Sequence, residues 1–458
     1  MEKLSNAVQK SPEKSILDYL YFKFPTLEQE KALIAMADFV PKSNTEDFFI
    51  LSGAAGTGKT SITTALIQYL ISKDIHYKIA APTGRAARIL GRKSKAISTT
   101  IHSLIYNTTS DPNSGEVFFR LKPNPFKDFT VFIFDEASMI SSIVARDEGN
   151  LFISTNSLLN DLVLFAKDGN PHNKLILLGD RNQLPPIQED FSKALSKEYL
   201  EGKYNLKGSA YQLTEVKRQQ KDSYILKNAV TIREAIDNDM PPENLKDIEI
   251  QSINSAALNL AKEYRQFGFD GSISIGASHK MNKLFNDKVR KILFENTPLL
   301  LVPEDLLIIT SSWKRKGKEL YSGDHVIIQE INLNETEFVA GLQFVPIKLR
   351  FKNLQDQEEV VDDFILLESI THPKGLKAEQ ERRLRSDRFR ANEIYQKTGN
   401  PSDDKYVGAI RATYGYSITC HKAQGGEWAK VYINTFYLPG LRYQYTAITR
   451  AREELILY

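Results

Sequence analysis

Residues 53–60 read Gly-Ala-Ala-Gly-Thr-Gly-Lys-Thr, which matches the phosphate-binding pattern G-x-x-x-x-G-K-[ST]. The apolar run 48–51 (Phe-Phe-Ile-Leu) precedes it, and a stretch with apolar residues at helical spacing follows. This strand–loop–helix context argues against a simple glycine-rich connector. The glycines allow a tight turn whose N–H groups point at phosphates, Lys59 would reach the β- and γ-phosphates, and the Thr60 hydroxyl would bind Mg²⁺. The sequence therefore predicts a nucleoside triphosphate site at Gly53, Ala54, Ala55, Gly56, Thr57, Gly58, Lys59 and Thr60.

Composition limits the class of protein. A chain of 458 residues exceeds one ordinary hydrophobic core, so we expect about two to four domains. Hydrophobic residues make up 41% and charged residues 26%, which is typical of a soluble globular protein. The formal net charge is only +3, so a surface for nucleic acid would need local clustering of basic residues. The single cysteine, Cys420, excludes an intramolecular disulfide and is typical of a reducing cytoplasm. No apolar run approaches the length of a membrane helix.

Short β-branched or aromatic runs alternate with helical segments, which predicts α/β domains built on parallel sheets. These runs lie at 77–82, 131–134, 174–178, 272–276, 431–434 and 455–458. The alternation breaks twice. A turn cluster at 111–115 predicts a β-hairpin inserted over 104–128, and a β-rich pattern with a charged helical arm around 377–395 predicts a second insertion over 300–407. We therefore expect a flexible segment 1–15, a first domain of 16–103 and 129–215, and a second of 216–299 and 408–458.

Two acids follow one of these predicted strands. The apolar run 131–134 ends at Asp135-Glu136. The carboxyl end of a strand in an α/β sheet faces the crevice where ligands bind. We expect Asp135 to hold Mg²⁺ and Glu136 to orient and deprotonate the attacking water, because phosphoryl transfer needs mainly positioning and charge neutralisation.

Further blocks follow in a fixed order. They are 81–87 (APTGRAA), 99–102 (TTIH), 178–186 (LGDRNQLPP), 213–219 (LTEVKRQ), 419–427 (TCHKAQGGE) and 445–452 (YTAITRAR). In this order they resemble the motifs of superfamily-one helicases, most closely the branch of Dda-type phage helicases and RecD-like enzymes. The resemblance covers about residues 29–458, although the two insertions match only in position and general character. It implies two RecA-like P-loop domains, a β-hairpin insertion in the first and an SH3-like β-rich insertion in the second.

The resemblance also implies roles around the nucleotide. Gln29 would contact adenine, although Thr26 to Gln29 also reads as a capping box for the following helix, and both can hold. Gln183 would sense the γ-phosphate and Glu427 would bind ribose. Arg218 and Arg450 would reach the γ-phosphate from the second domain, so that closure of the cleft couples to hydrolysis.

Other positions resemble contacts to single-stranded nucleic acid. Their hydroxyls and imidazoles would donate to phosphate oxygens without reading bases. These positions are Thr83, His102, Thr419 and His421. Arg92, Lys93 and Lys95 are either a basic floor or a solvated charge run. The aromatic pair Phe118-Phe119 could stack on the end of a duplex if the hairpin is a strand-separating wedge, whereas the alternative is a surface hairpin without that role.

The combined expectation is an ATP-dependent DNA helicase that uses ATP and Mg²⁺ and translocates on single-stranded DNA. The family branch implies 5′→3′ movement, which composition and spacing do not show. Two alternatives stay open: a single-strand translocase that does not unwind, and an RNA-directed motor or nucleotide-dependent RNA clamp. We expect single-stranded and forked duplex DNA as partners, with replication, repair or recombination proteins as further partners. We also expect a monomer in the cytoplasm of a bacterial or phage-infected cell, associated with the nucleoid and not with a membrane.

Overall fold

The computed structural model describes residues 14–110, 117–144, 152–216, 223–241, 245–295, 299–372 and 375–458. Within these ranges, no helix combines the length and apolarity that crossing a bilayer requires. The strands in chain order are β1 (Phe48–Gly53), β2 (His76–Ala81), β3 (Ser98–Thr100), β4 (Tyr106–Ser110), β5 (Val117–Leu121), β6 (Thr130–Phe134), β7 (Phe152–Ile153), β8 (Lys174–Gly179), β9 (Gly208–Leu213), β10 (Glu249–Ile250), β11 (Ser272–Gly276), β12 (Leu306–Ser311), β13 (Trp313–Arg315), β14 (Lys318–Leu320), β15 (His325–Ile331), β16 (Glu337–Val339), β17 (Leu342–Lys352), β18 (Glu358–Leu366), β19 (Arg411–Tyr414), β20 (Ser417–Thr419), β21 (Trp428–Ile433) and β22 (Ala451–Leu457).

The α-helices of the same ranges connect these strands. They are α1 (Leu27–Phe39), α2 (Lys59–Ser72), α3 (Gly84–Ser94), α4 (Ile101–Ile105), α5 (Leu158–Gly169), α6 (Lys197–Tyr204), α7 (Tyr224–Asp237), α8 (Ile253–Phe267), α9 (His279–Leu293), α10 (Leu367–Thr371), α11 (Ala378–Ala391), α12 (Glu393–Thr398), α13 (Cys420–Ala423) and α14 (Leu441–Ile448).

The first α/β unit is built on a six-stranded parallel sheet in the order β3-β2-β6-β8-β1-β9. Strand β1 is buried at every residue. Phe48 and Ile50 enter the core on one face of the sheet, whereas Phe49 and Leu51 enter the core on the other. A strand covered on both faces must be apolar throughout, which is why 48–51 reads as a continuous hydrophobic run.

The second α/β unit has a five-stranded parallel sheet in the order β10-β22-β21-β11-β20. The predicted strand 272–276 coincides with β11, and its neighbour β21 begins three residues before the predicted 431. Two parallel sheets flanked by helices confirm the predicted α/β class and its two RecA-like units.

Between α9 and β20 the chain forms an antiparallel sheet in the order β16-β17-β15-β12-β19, with β18 paired to β17. Strand β19 lies beyond residue 407, where we expected this insertion to end, because it pairs with β12. The charged arm is helical, as α11 and α12. Leu307 and Val345 of this sheet share one hydrophobic core with Leu260 of α8 and Phe285 of α9. The insertion is therefore fused to the second α/β unit by continuous packing.

The first insertion is a hairpin of β4 and β5, with the short strand β7 added parallel to β5. We did not predict β7. The predicted turn at 111–115 lies outside the described residues. Phe119 and Leu121 of β5 pack against the core of the first α/β unit beside Tyr106. The base of the hairpin is therefore anchored in that core.

Candidate nucleotide site and nucleic-acid interface

The phosphate-binding loop lies between β1 and α2, at the carboxyl edge of the first sheet. Gly56 and Gly58 have φ values of 84° and 88°, a left-handed conformation that favours glycine. A Cβ atom at Gly58 would lie 2.5 Å from Gln29 Nε2. Lys59 Nζ donates to Gly53 O at 2.5 Å and to Ala54 O at 3.0 Å. The ammonium group thus lies over the loop, next to the N-terminus of α2, where phosphate oxygens can replace the carbonyl acceptors.

Gln29 joins the first helix to this loop. Its Oε1 accepts the Thr26 N–H at 2.9 Å and its own N–H donates to Thr26 Oγ1 at 3.0 Å, which confirms the predicted capping box. Its Nε2 also donates to Thr57 O at 2.9 Å, and the side chain is 2% exposed. Gln29 therefore fixes the loop, and it keeps one N–H and one lone pair for a ligand.

The two acids follow β6 directly. Glu136 has φ 51° and ψ 38°, a left-handed conformation that costs a residue with a Cβ roughly 1–3 kcal/mol and is concentrated at functional sites. Its N–H donates to Asp135 Oδ1 at 2.9 Å. Burial raises the pKa of both carboxyls, and the Asp135 charge raises the pKa of Glu136 further, whereas Lys59 lowers both.

This donor set fits a divalent cation. Burial raises the pKa of both carboxyls and the Asp135 charge raises the pKa of Glu136 further, so a positive charge would stabilise the ionised pair, and the Thr60 hydroxyl belongs to the neighbouring loop. Mg²⁺ is typically held by one or two carboxylates together with substrate phosphates, so Asp135 and Thr60 could hold it once a nucleotide supplies the remaining oxygens.

Arg450 faces the acids from the second α/β unit. Its guanidinium donates to Thr446 O at 2.9 Å and to Gly426 O at 3.2 Å, so its own unit holds it in place. Its charge also lowers the pKa of Glu136, which places it within electrostatic reach of that carboxyl. Arg218, the other predicted arginine, lies outside the described residues.

A cleft separates the phosphate-binding loop from the second unit. It is lined by Ala54, Ala55, Val216, Ile225, Leu226, Ala229, Val230, Arg233, Tyr445, Thr449 and Ala451. Arg233 of α7 was not among the predicted site residues. It is the cationic residue of this lining. Because α7 lies across the cleft from the phosphate-binding loop, Arg233 becomes a candidate for binding the nucleotide.

The segment after β8 is hydrogen-bonded to the second α/β unit. Tyr445 Oη donates to Asp180 Oδ2 at 2.8 Å, the Leu184 N–H donates to Thr446 Oγ1 at 2.8 Å, and a Gln424 amide N–H donates to Leu184 O at 2.9 Å. Gln183 lies within this bonded segment and is buried. Among the described residues no donor reaches its Oε1.

Tyr445, Thr446 and Gln424 were not among the predicted site residues. All three lie inside the motif blocks quoted above. Those blocks marked the segments as important, but the sequence did not indicate which residues of the first unit they contact. The bonds show that the predicted γ-phosphate sensor lies in the contact between the two units.

Two of the residues predicted to contact single-stranded nucleic acid lie at or after the carboxyl ends of β-strands, one in each parallel sheet. Thr83 follows β2 and caps α3, where its Oγ1 accepts the Ala86 N–H at 3.2 Å. Thr419 ends β20 and precedes His421, and burial lowers the pKa of that imidazole. Thr419 also lines a polar pocket with His279, Lys283 and Lys422.

His102 and Phe119 lie together at the base of the β4–β5 hairpin. The His102 side chain is exposed on α4, and its ring centroid lies 5.6 Å from that of Phe119. Phe119 in turn lies 5.4 Å from Tyr106 and packs against the core. Strand alternation directs Phe118 to the opposite face of β5. Glu427 is half-buried beside the buried Trp428.

Helix α3 forms a contact with the second unit and its insertion, which we call the α3 joint. Arg88 Nη2 pairs with Asp324 Oδ1 at 2.6 Å, and the two side chains are 13% and 1% exposed. The Arg85 guanidinium lies 4.0 Å from the Trp428 ring centroid. It also lies 3.2 Å from His325 Nδ1.

The joint extends along α3 to its C-terminal part. Arg92 pairs with Asp356 at 3.2 Å, with both side chains partly exposed. Arg92, one member of the predicted basic floor or solvated run, therefore contacts the insertion.

Comparison with known proteins gives matches at both ends of the chain. Residues 28–249 match the AAA domain family, and residues 414–458 match the UvrD-like helicase C-terminal domain. The chain is 25% identical over 414 residues to the ATP-dependent RecD2 DNA helicase of Deinococcus radiodurans, which covers 88% of this chain and 46% of that protein. It is 26% identical over 303 residues to the ATP-dependent DNA helicase dda of Enterobacteria phage T4, which covers 64% of this chain and 62% of that protein. The chain thus spans less than half the length of RecD2.

Solved structures show the same fold. The Pif1 helicase from Bacteroides in complex with ADP-AlF3 and ssDNA matches with a TM-score of 0.51 at 16% identity, covering 95% of this chain and 92% of that chain. The Pif1 helicase from Candida albicans matches with a TM-score of 0.50 at 15% identity, covering 95% of each chain. With two parallel α/β sheets and the ordered motifs, the chain is similar to superfamily-one helicases of the Dda-like and RecD-like branch.

Proposed function

We propose that the chain is an ATP-dependent DNA helicase that translocates on single-stranded DNA and unwinds duplexes. One observation carries the proposal: the phosphate-binding loop lies across a cleft from Tyr445, Thr449 and Ala451 of the second RecA-like unit, and the neighbouring Arg450 lowers the pKa of Glu136. A nucleotide bound there would contact both units, so that its hydrolysis would change how they fit together.

Within the cleft, each side chain has a separate task. Lys59 would leave its carbonyl acceptors and bind the γ-phosphate, and Thr60 with Asp135 would hold Mg²⁺, which supplies charge neutralisation on the phosphates. Glu136 would orient the attacking water and accept its proton. Arg450, and Arg218 as a second cation, would stabilise the charge that develops on the γ-phosphate.

The segment 180–184 would carry the coupling. Gln183 is buried and directly precedes Leu184, whose backbone is hydrogen-bonded to Thr446 and Gln424 of the second unit. A change at the γ-phosphate would therefore alter hydrogen bonds between the units. Gln29, which already contacts the loop, would contact adenine with its remaining N–H, and Glu427 would bind ribose.

The DNA side would use donors from both units. Thr83 and His102 in the first unit and Thr419 and His421 in the second would donate to phosphate oxygens. Such contacts are independent of base sequence, and alternating grip by the two units would move the strand. We propose 5′→3′ movement, on the ground that the RecD-like and Dda-like branch implies it.

The hairpin of β4 and β5 would separate the strands. Because Phe119 packs into the core, it would stiffen the base of the hairpin, and Phe118 on the outer face is better placed to stack on the end of the duplex. Stacking of a base on an aromatic ring contributes about 1–3 kcal/mol.

The test is ATP-dependent unwinding of duplexes that carry either a 5′ or a 3′ single-stranded tail, with Lys59→Ala as the inactive control. The proposal predicts strand separation on the 5′-tailed substrate. ATPase activity stimulated by single strands without strand separation would identify a translocase instead. Stronger stimulation by RNA than by DNA oligomers would identify an RNA-directed motor or clamp.

A further inference from the structure

Helix α7 turns one face toward the phosphate-binding loop. Residues on one face of a helix recur every three to four positions, and the α7 residues that line the nucleotide cleft follow this spacing. They are Ile225, Leu226, Ala229, Val230 and Arg233. The first four are apolar, so the half-buried Arg233 places a positive charge at the end of an apolar face. The same cleft is lined on its other side by Ala54 and Ala55 of the loop.

The guanidinium of Arg233 is available to a ligand. Among the residues that the structure describes, no carboxylate lies within ion-pair distance of it. Glu28 lies within its electrostatic reach: burial raises the pKa of that carboxyl, whereas hydrogen bonds from Thr214 and Glu215 and the charge of Arg233 bring it below its ordinary value. The Thr214 N–H and hydroxyl donate to Glu28 at 2.7 and 2.6 Å, and the Glu215 N–H donates at 3.1 Å. These bonds already occupy both Glu28 oxygens, so Arg233 can bind a ligand without breaking an ion pair.

The loop opposite Arg233 is the part of the cleft where phosphates would lie. Lys59 Nζ donates to Ala54 O at 3.0 Å, and this ammonium is the group expected to bind the β- and γ-phosphates. A nucleotide held by the loop would therefore bring its anionic phosphates next to Ala54 and to the cation across the cleft. An arginine suits this task, because its planar fork can donate two N–H groups to phosphate oxygens at once.

Arg450 occupies a different position. It is 3% exposed, and its guanidinium already donates to Thr446 O and Gly426 O. Its charge acts on Glu136, whereas the charge of Arg233 acts on Glu28 and on Tyr445. The two arginines of the second unit thus approach the cleft at separate places.

We propose that Arg233 binds the phosphate chain of the nucleotide from the second unit, at a position separate from that of Arg450. This inference rests on the proposed ATP-dependent function and adds to it a residue that neither the motif blocks nor the resemblance singled out. The contact draws α7 onto the phosphate-binding loop when a nucleotide is bound. It depends on the phosphates and not on the base.

The test is equilibrium binding of a non-hydrolysable ATP analogue with Mg²⁺, measured by calorimetry on the full chain. Arg233→Ala should raise the Kd roughly tenfold, as expected for loss of a hydrogen bond between charged groups. Arg233→Lys should retain part of the affinity, because lysine keeps the charge and loses the fork. The matched control is Lys262→Ala, which removes one positive charge from an exposed position on α8 and should leave the Kd unchanged.

A purely structural role of Arg233 would give a different result. Inorganic tripolyphosphate has the phosphate chain without base or ribose, so its competition with the analogue should weaken by a similar factor in Arg233→Ala. Thermal unfolding without ligand checks the fold, and Arg233→Gln, which removes the charge and keeps a long polar side chain, replaces Arg233→Ala if that variant unfolds earlier.

An unchanged Kd for the analogue would overturn the inference, as would a loss that tripolyphosphate does not share. Failure of the proposed function is seen separately, because the unaltered protein would then show no ATP-dependent strand separation.

Discussion

Removing one partner of the ion pair between Arg88 and Asp324 should weaken the α3 joint strongly. Breaking a buried pair leaves an uncompensated charge and costs roughly 3–5 kcal/mol. Arg88 keeps 13% of its side-chain surface and Asp324 keeps 1%, so we expect a value near the lower end, about 3 kcal/mol, for Arg88→Met. Replacing both residues, as Arg88→Met with Asp324→Asn, should cost less than the sum of the single changes because no buried charge is then unpaired.

The assay is unfolding in urea, monitored by tryptophan fluorescence. The chain has two tryptophans, Trp313 in the insertion and Trp428 in the joint, where Arg85 lies over its ring. The matched control is Arg92→Met, which removes the pair with Asp356, whose side chains are 54% and 31% exposed. Such a pair should contribute no more than about 1 kcal/mol. The reasoning is refuted if Arg88→Met costs no more than Arg92→Met, or if the double variant costs the sum of the two single ones.

Three further predictions concern the nucleotide cleft and the hairpin. Glu136→Gln should retain ATP binding and lose turnover by at least a hundredfold, as expected for a general base; nucleotide binding with normal DNA-stimulated turnover would remove Glu136 from that role. Gln183→Ala should reduce DNA stimulation of the ATPase more than ATP affinity, measured by titration with a fluorescent nucleotide; equal losses of basal and stimulated rates would indicate a purely catalytic or structural role. Phe118→Ala should slow unwinding of a forked duplex while single-strand-stimulated ATPase is largely retained, with Phe436→Ala, a change of a side chain that is 90% exposed, as the control; unchanged unwinding would leave the hairpin without the wedge role.

The sheets could be predicted because their strands carry a local signal. Strand β6 is buried at all five positions, so 131–134 appears in the sequence as an apolar run that ends at the acids. Strand β11 is also buried at all five positions, with isoleucines at alternate positions. The capping box at Thr26 could be predicted because its two hydrogen bonds join residues three positions apart.

The remaining features depend on partners that are distant along the chain. Strand β7 has two residues and exists through its pairing with β5, so periodicity gives no sign of it. Strand β19 belongs to the antiparallel sheet because of β12, although it follows the segment where the β-rich composition ends. Arg92 sits in a run of basic residues and its pairing with Asp356, 264 positions away, cannot be read from either segment.

The core shared by the insertion and helices α8 and α9 has a mechanical consequence. A domain fused through continuous packing cannot swing independently, so the insertion and the second α/β unit must rotate as one arm. That arm contacts the first unit both at the nucleotide cleft and at the α3 joint. When two rigid bodies touch at two places, opening one contact requires rotation about the other contact. Opening of the nucleotide cleft would then turn the insertion about the α3 joint relative to the first unit.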